Sequence, residues 1–461
     1  MSNKNSSPQE ISLGINRRRF IYSSALASAA VLAGCRTNDP ATTARINYKS
    51  PNEKLNIGGI GVEGKGAGDI EGCRGENIVA LCDVDETKLT GAGQKYAGAK
   101  LYRDYREMLE KQKDLDAVII STPDHHHAPA AIRAIHLGKH VYCQKPLTHT
   151  IWEARQLTEA ARKYKVATQM GNQGHSHEGN RRLCEMIWAG AIGDVREVHC
   201  WSDRPIWPQG IERPAGEDII PSNLDWDLWL GPAPVRSYKS SWPDKKPVYH
   251  PLSWRGWWDF GCGALGDMGC HVMDGANWAL KLGAPTSVDL VDSSPLFKET
   301  PPMSATIRYE FPARGAMPPV TLTWYDGGKR PAHPAEMEAK DLQGNGAILI
   351  GSKGKIFSDT YGTGLTLLPE SKMKDYVMPP PQIPRIPDND SHKEWIRACK
   401  GGPPASSNFD VSGPFSEMVL LGNLVLRIGR KIEWDSQHLR VKNAPEAAQY
   451  IRKEYRKGWE V

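Results

Sequence analysis

Asp267 and His271 stand four residues apart in a glycine-rich run that ends at Trp278. On a helix this spacing stacks two side chains on one face. A carboxylate beside an imidazole is the simplest device for holding a general base in one tautomer. Asp267 is therefore expected to orient His271, with His271 taking a proton from a substrate hydroxyl. A helical Asp/His pair is more often a plain surface hydrogen bond, and two upstream elements favour chemistry. The first is Gln144-Lys145-Pro146, directly after the apolar run His140–Cys143. A lysine at the carboxyl end of a strand, beside a proline that fixes the turn, reaches a ligand and can bridge a cofactor ribose and a reacting oxygen.

The second element is a glycine turn after Leu55–Ile60. Glycines there let the backbone approach a pyrophosphate and aim helix N–H groups at it. Gly59, Gly61 and Gly64 fit the G-x-G-x-x-G pattern literally. Taking Ile60 as the last buried strand residue instead gives Gly61, Glu63 and Gly66, which is the preferred register, with Gly64 in the same turn. Asp83 ends the next apolar run, about 20 residues on, where an acid bonds a ribose 2′-hydroxyl and repels a 2′-phosphate. NAD is expected, in preference to NADP. Ser121-Thr122-Pro123 and then His125, His126 and His127 follow a third run. The histidines lack metal-ligand spacing, so no metal is expected. Ser121, Thr122, Pro123, His126, His127 and Gln144 are expected to line the cofactor.

These groups need a scaffold, and the chain supplies an alternating one. Strands are expected at Leu55–Ile60, Ile78–Cys82, Ala117–Ser121, His140–Cys143 and Val166–Met170. Helices are expected at Glu86–Tyr96, Tyr105–Gln112, Ala128–Leu137 and Trp152–Tyr164. Such alternation predicts an α/β fold with an N-terminal Rossmann-type, doubly wound domain over residues 54–172. A second α/β domain, 173–440, is expected to hold a largely antiparallel open sheet, with strands at Val195–Trp201, Thr306–Phe311, Val320–Trp324 and Ala347–Ile350. Helices are expected at Asn180–Ala189, Ser391–Cys399 and Phe415–Arg430, with 441–461 as a tail. Asn172, Gln173 and His175 follow the last Rossmann strand and are expected to meet substrate hydroxyls. Trp201, Trp207, Trp254, Trp257 and Trp258 offer faces on which a pyranose would stack, although packing is the ordinary fate of any one of them.

With 461 residues the chain suits two to three domains. Its net charge is +5, and Lys4, Arg17, Arg18 and Arg19 against Glu10 place +3 of it before residue 35. No basic stripe with interleaved aromatics is present, so nucleic acid is not an expected partner. Asn16-Arg17-Arg18-Arg19-Phe20-Ile21 resembles a twin-arginine export signal. Leu32-Ala33-Gly34-Cys35 resembles a lipoprotein cleavage site. Residues 1–34 are thus expected to be a signal peptide and 35–53 a tether. The mature protein is expected in the periplasm, anchored by a lipid on Cys35.

Taken in order, Ile60-Gly61…Gly66, Asp83, Ser121-Thr122-Pro123-Asp124…His127, Gln144-Lys145-Pro146 and Gly266-Asp267…His271…Asp274 resemble the glucose–fructose oxidoreductase / inositol dehydrogenase (Gfo/Idh/MocA) family. The resemblance covers roughly residues 54–435. It implies a Rossmann domain followed by a substrate domain whose open sheet also carries oligomer contacts, hence a homo-oligomer. It implies that Lys145 is the motif lysine, His271 the acid/base, Asp267 its companion and Asp274 a substrate-side group. Gln144 stands where the family usually has Glu, and Glu63 where it has glycine. The implied activity is oxidation of a hydroxyl on a sugar, glycoside or polyol. Because free NAD is not expected outside the cytoplasm, the cofactor is expected to travel tightly bound and to be recycled in place. Two alternatives are an NAD-dependent glycosidase working by transient oxidation and elimination, and a non-catalytic sugar-binding lipoprotein.

Overall fold

The computed structural model describes residues 48–338, 341–342 and 344–461. The export signal, Cys35 and most of the tether lie outside the described residues.

Six parallel strands form the first sheet: β1 (Asn56–Ile60), β2 (Asn77–Cys82), β3 (Lys100–Tyr102), β4 (Ala117–Ile120), β5 (His140–Cys143) and β6 (Thr168–Met170), in the order β3-β2-β1-β4-β5-β6. The central strands are apolar and buried on both faces, as a sheet covered by helices requires. Strand order reverses between β1 and β4, the place where such sheets open a crevice. Register then decides what lines it. Ile60 pairs with Cys82 and with Ile120, Ile120 with Cys143, and Cys143 with Met170. The residues that follow, Gly61, Asp83, Ser121, Gln144 and Gly171, therefore emerge along one carboxyl edge. The one Rossmann strand not foreseen is β3, three residues long with a half-exposed face and no buried run to announce it.

The second sheet has nine strands: β7 (Val195–Trp201), β8 (Ser287–Ser293), β9 (Ala305–Phe311), β10 (Val320–Tyr325), β11 (Gly346–Gly351), β12 (Gly354–Ser358), β13 (Thr366–Leu368), β14 (Ile432–Asp435) and β15 (Arg440–Val441). Only the β7/β10 pair is parallel. Alternating burial along β9, with Ala305, Ile307, Tyr309 and Phe311 inside, turns one face onto helices. The helix Phe409–Ile428 packs on that side, against Ile151–Tyr164 and Gly263–Val272. It starts six residues before the expected Phe415, because Asn408 caps it and Pro414 is accommodated inside. The eight described cysteines are all free and buried thiols.

The sequence reads residues 204–258, heavy in Trp and Pro, as a long loop region. They instead close on a small core of their own, built from Trp226, Trp229, Tyr249, Trp257 and Phe260. This segment is tied to the Rossmann edge by Asp225 N–H to Val84 O (3.0 Å), Glu86 N–H to Asn223 O (2.8 Å) and Asn223 Nδ2 to Asp85 (2.8 Å). It forms a wall across from the carboxyl ends of the strands.

Candidate active site

Between that wall and the strand ends lies a cavity of about 730 Å³. Gly61, with φ 81°, opens the turn after β1, and a Cβ there would lie 2.7 Å from Ser121 O. A Cβ on Gly66 would lie 2.1 Å from Gly61 O. Both positions are closed to any other residue, and Gly59 stays inside the strand, so the Gly61/Glu63/Gly66 register is the one built. Gly66 does not line the cavity; it permits the close helix–strand approach behind it. The helix Lys65–Gly72 begins at Gly64 without a side-chain cap, leaving N–H groups at its start. Glu63 pairs with Lys88 of the helix Glu86–Lys95, which neutralises the acid standing at a glycine position.

Asp83 is half-buried and accepts from the Val62 and Asp85 N–H groups at 3.0 Å each. Burial raises its pKa, while those two bonds oppose the rise. Ser121, Thr122, Pro123, His126, Gln144 and Lys145 also line the cavity. His127 does not. Its Nδ1 meets Pro146 O at 2.7 Å and its Nε2 meets Thr122 O at 2.9 Å, so it clamps two cavity loops together from behind.

One organising residue escaped the sequence. Asp69 is fully buried beneath the cavity floor and accepts from Ser121 Oγ (2.8 Å), Gln144 Nε2 (2.8 Å), His392 Nε2 (3.0 Å) and Lys65. Burial alone would raise its pKa, but His392 and Lys65 hold the carboxyl below its ordinary value. This explains Gln144, because an amide donates to Asp69 where a second carboxylate would repel it. An acid on the Gly66/Asp69/Ile70 buried face of a helix was the available signal.

Lys145 Nζ donates to Asp267 Oδ1 at 2.8 Å and to Asp267 O at 2.5 Å. Arg255 Nε approaches the same Oδ1 at 3.3 Å, and Arg204 Nε lies 3.6 Å from Oδ2. Burial pulls the Asp267 pKa up, yet Lys145 and Arg255 hold it well below the carboxylate range. His271 sits one turn on, but no hydrogen bond joins it to Asp267, and its Nδ1 is buried without a partner. The expectation that Asp267 orients His271 is therefore corrected: Asp267 is held by a lysine from the other domain. Burial first, then the Lys145 charge, pushes the His271 pKa down to about 3, so the imidazole is neutral. Its ring meets Tyr361 edge-on at 5.2 Å, a neighbour the sequence did not reveal.

The carboxylate–imidazole pair exists elsewhere. Asp274 accepts from His175 Nδ1 at 2.9 and 3.0 Å, and the His175 ring stacks on Trp278 at 4.1 Å. Both residues are buried, as is Asn172, whose Oδ1 accepts from Ser407 Oγ at 2.6 Å. None of the three lines the cavity, so their expected substrate contacts are corrected: each is a buried group bonded to another buried residue. Gln173 and Trp254 do line it. Of the other tryptophans, Trp201, Trp207, Trp257 and Trp258 are core residues.

Two family models match this chain. One, described as the NAD-binding Rossmann fold of an oxidoreductase family, covers residues 56–172; the other, the C-terminal alpha/beta domain of the same family, covers 204–461. Inositol 2-dehydrogenase from Salmonella typhimurium is 35% identical over 127 residues, 27% of this chain and 38% of that protein. Glycosyl hydrolase family 109 protein 1 from Shewanella sp. (strain ANA-3) is 30% identical over 211 residues, 39% of this chain and 44% of that one. The chain thus spans less than half the length of these curated relatives. Among solved structures, the WlbA dehydrogenase from Chromobacterium violaceum, in complex with NADH and UDP-GlcNAcA, superposes with a TM-score of 0.59 at 17% identity. That match covers 85% of this chain and 99% of that one. At such identity the likeness concerns the fold.

Proposed function

The chain belongs to the Gfo/Idh/MocA oxidoreductase family, and on that premise we propose that it is an NAD-dependent oxidoreductase acting on a hydroxyl of a sugar, glycoside or polyol. The observation that carries this reading is the convergence of Lys145, Asp267 and His271 in one cavity with Gly61 and Asp83. The residues fit the cofactor. Gly61 and Gly66 form a cradle that a Cβ would fill, the helix at Lys65 offers uncapped N–H groups, and Asp83, lining the cavity at the end of β2, is the acid assigned to the ribose. When bound, NAD supplies the hydride acceptor.

The chain's own residues do the rest. Lys145 donates a hydrogen bond to the reacting oxygen and stabilises the charge that grows on it. Asp267 fixes the position of the Lys145 ammonium and keeps it from drifting toward solvent. His271, neutral and buried, takes the hydroxyl proton. Gln173 and Trp254 shape the space for the sugar, and Trp229 and Trp254 of the wall, with Trp459 from the C-terminal stretch, keep water out.

A second reading has its own observation, the 30% identity to a glycosyl hydrolase family 109 protein. In a glycosidase, the same oxidation would acidify the neighbouring carbon, the aglycone would leave by elimination, water would add to the resulting enone and the ketone would be reduced again by the hydride first removed. Net cleavage without net redox distinguishes it.

The proposal extends to place and assembly. Residues 1–34 direct folded protein out of the cytoplasm, Cys35 carries a lipid, the cofactor leaves with the protein, and the chains associate as a homo-oligomer. The test is to purify the full chain in detergent without added cofactor and assay nicotinamide released on denaturation. Absorbance at about 340 nm is then followed with a panel of sugars and glycosides. Retained NAD reduced by one sugar supports the reading. Absence of nicotinamide from a folded preparation removes the tight-cofactor proposal, and failure to be reduced with NAD supplied removes the oxidoreductase.

A further inference from the structure

Arg255 lines the same cavity as Lys145 and His271. Its guanidinium lies 4.2 Å over the Trp254 ring and 5.9 Å from that of Trp207. A Cβ on Gly261 would come within 2.6 Å of the Arg255 Cα, so the backbone beneath it is packed tight as well. Nε faces Asp267, while no hydrogen bond among the described residues ties the two terminal nitrogens. The result is a rigid, stacked fork with its outer donors open to the cavity.

Neutralising Asp267 does not require this fork, since Lys145 already contacts that residue twice and Arg204 approaches it from a third side. The other acids nearby are engaged. Asp203 is exposed and pairs with Arg204, and Asp124 accepts from the Cys262 N–H at 3.0 Å. A planar guanidinium with two free terminal groups matches the paired oxygens of a carboxylate or phosphate, in a geometry a lysine does not reproduce.

We propose that Arg255 recognises an oxyanion on the substrate, so that the sugar taken here is acidic: a uronate-type carboxylate or a phosphate ester. This rests on the sugar oxidoreductase reading above, and it names the class of sugar. The uncharged part of the substrate lies toward Gln173 and Trp254, with the reacting hydroxyl at Lys145.

The test is calorimetric binding to the NAD-loaded full chain, using glucuronate and glucose 6-phosphate against glucose, and galacturonate against galactose. The acidic member of a pair is expected to bind about 10- to 100-fold more tightly, the range for charge-assisted bonds. Glucuronate and glucose 6-phosphate separate carboxylate from phosphate. Arg255→Gln is expected to abolish the preference, and Arg255→Lys, which keeps the charge and the stem, to retain only part of it. Equal affinities within every pair overturn the proposal, as does an Arg255→Gln or Arg255→Lys protein that keeps the full preference. A loss of NAD affinity in place of the preference also overturns it. Absorbance at about 340 nm separates the two claims. Acidic sugars that bind preferentially but never reduce NAD sink the redox reading and leave Arg255 as an anion reader. Neutral and acidic sugars oxidised alike leave the enzyme and sink the anion reader.

Discussion

Lys145 donates from Nζ to both the backbone carbonyl and the carboxylate of Asp267, at 2.5 and 2.8 Å, across a sequence separation of 122 residues. The bond joins the carboxyl edge of the Rossmann sheet to the helix Gly263–Val272 and fixes the two halves of the site to each other. Asp267→Asn leaves Lys145, Arg204 and Arg255 together without their shared anion. Its kcat/KM is expected to fall about 100-fold, on the scale of losing one oriented donor, with NAD content unchanged. Steady-state kinetics beside a nicotinamide assay checks this, and a variant with full activity would mean the bond is only structural.

His271 is neutral through most of the accessible pH range, since burial and Lys145 press its pKa to about 3. The rate is therefore expected to show no acid limb near pH 6.5, the ordinary histidine value. Activity should persist to about pH 5, and His271→Asn should cost roughly 100- to 10,000-fold at every pH. A wild-type limb at pH 6–7 that disappears in His271→Asn would show an ordinary, solvated imidazole instead.

Gln144→Glu sets a second carboxylate against Asp69, whose Oδ2 lies 2.8 Å from the present amide nitrogen. A loss of about 2 kcal/mol of stability at pH 7 is expected, shrinking as the medium becomes acidic enough to protonate one of the pair. Adding Asp69→Asn should recover much of it. Chemical denaturation of Gln144→Glu, Asp69→Asn, the double variant and the parent at pH 7 and pH 5 decides, and an additive double variant would refute the coupling.

Burial keeps His126 and His140 neutral, with pKa values near 4, and His140 Nδ1 accepts from the Ala167 N–H at 2.9 Å. Because these folded values lie below the unfolded one, the unfolded chain binds more protons as pH falls below about 6.5. Their contribution is present in full above pH 6.5 and is lost as pH falls toward 4. Tm is expected to drop across that window, less steeply in His140→Asn. A Tm flat from pH 7 to 4 would contradict this.

Much of the site was legible because strand ends mark themselves. Apolar runs stop at Ile60, Cys82, Ile120 and Cys143, and the parallel register carries Gly61, Asp83, Ser121 and Gln144 to one edge. What stayed hidden is what faces an element once it is folded. The spacing of Asp267 and His271 placed them on one helical face, but it said nothing of Lys145 arriving opposite. Likewise Asp69 meets His392, 323 residues away, and Arg255 is aimed by stacking on Trp254. His175 and Asp274 were sensed as polar groups near the site, yet their mutual bond turned both inward.

Hydride transfer itself is tested most directly with deuterium. The NAD-loaded full chain is mixed with sugars, acidic and neutral, fully deuterated on carbon, and the nicotinamide is recovered for mass spectrometry. The expected result is NADH carrying one deuterium, transferred from the sugar as deuteride, formed rapidly by the wild type and about 100- to 10,000-fold more slowly by His271→Asn or Lys145→Met. NAD recovered unlabelled and unreduced, from a protein that still binds the sugar and returns it uncleaved and chemically unchanged, would contradict the oxidoreductase and leave a binding protein on a dehydrogenase fold.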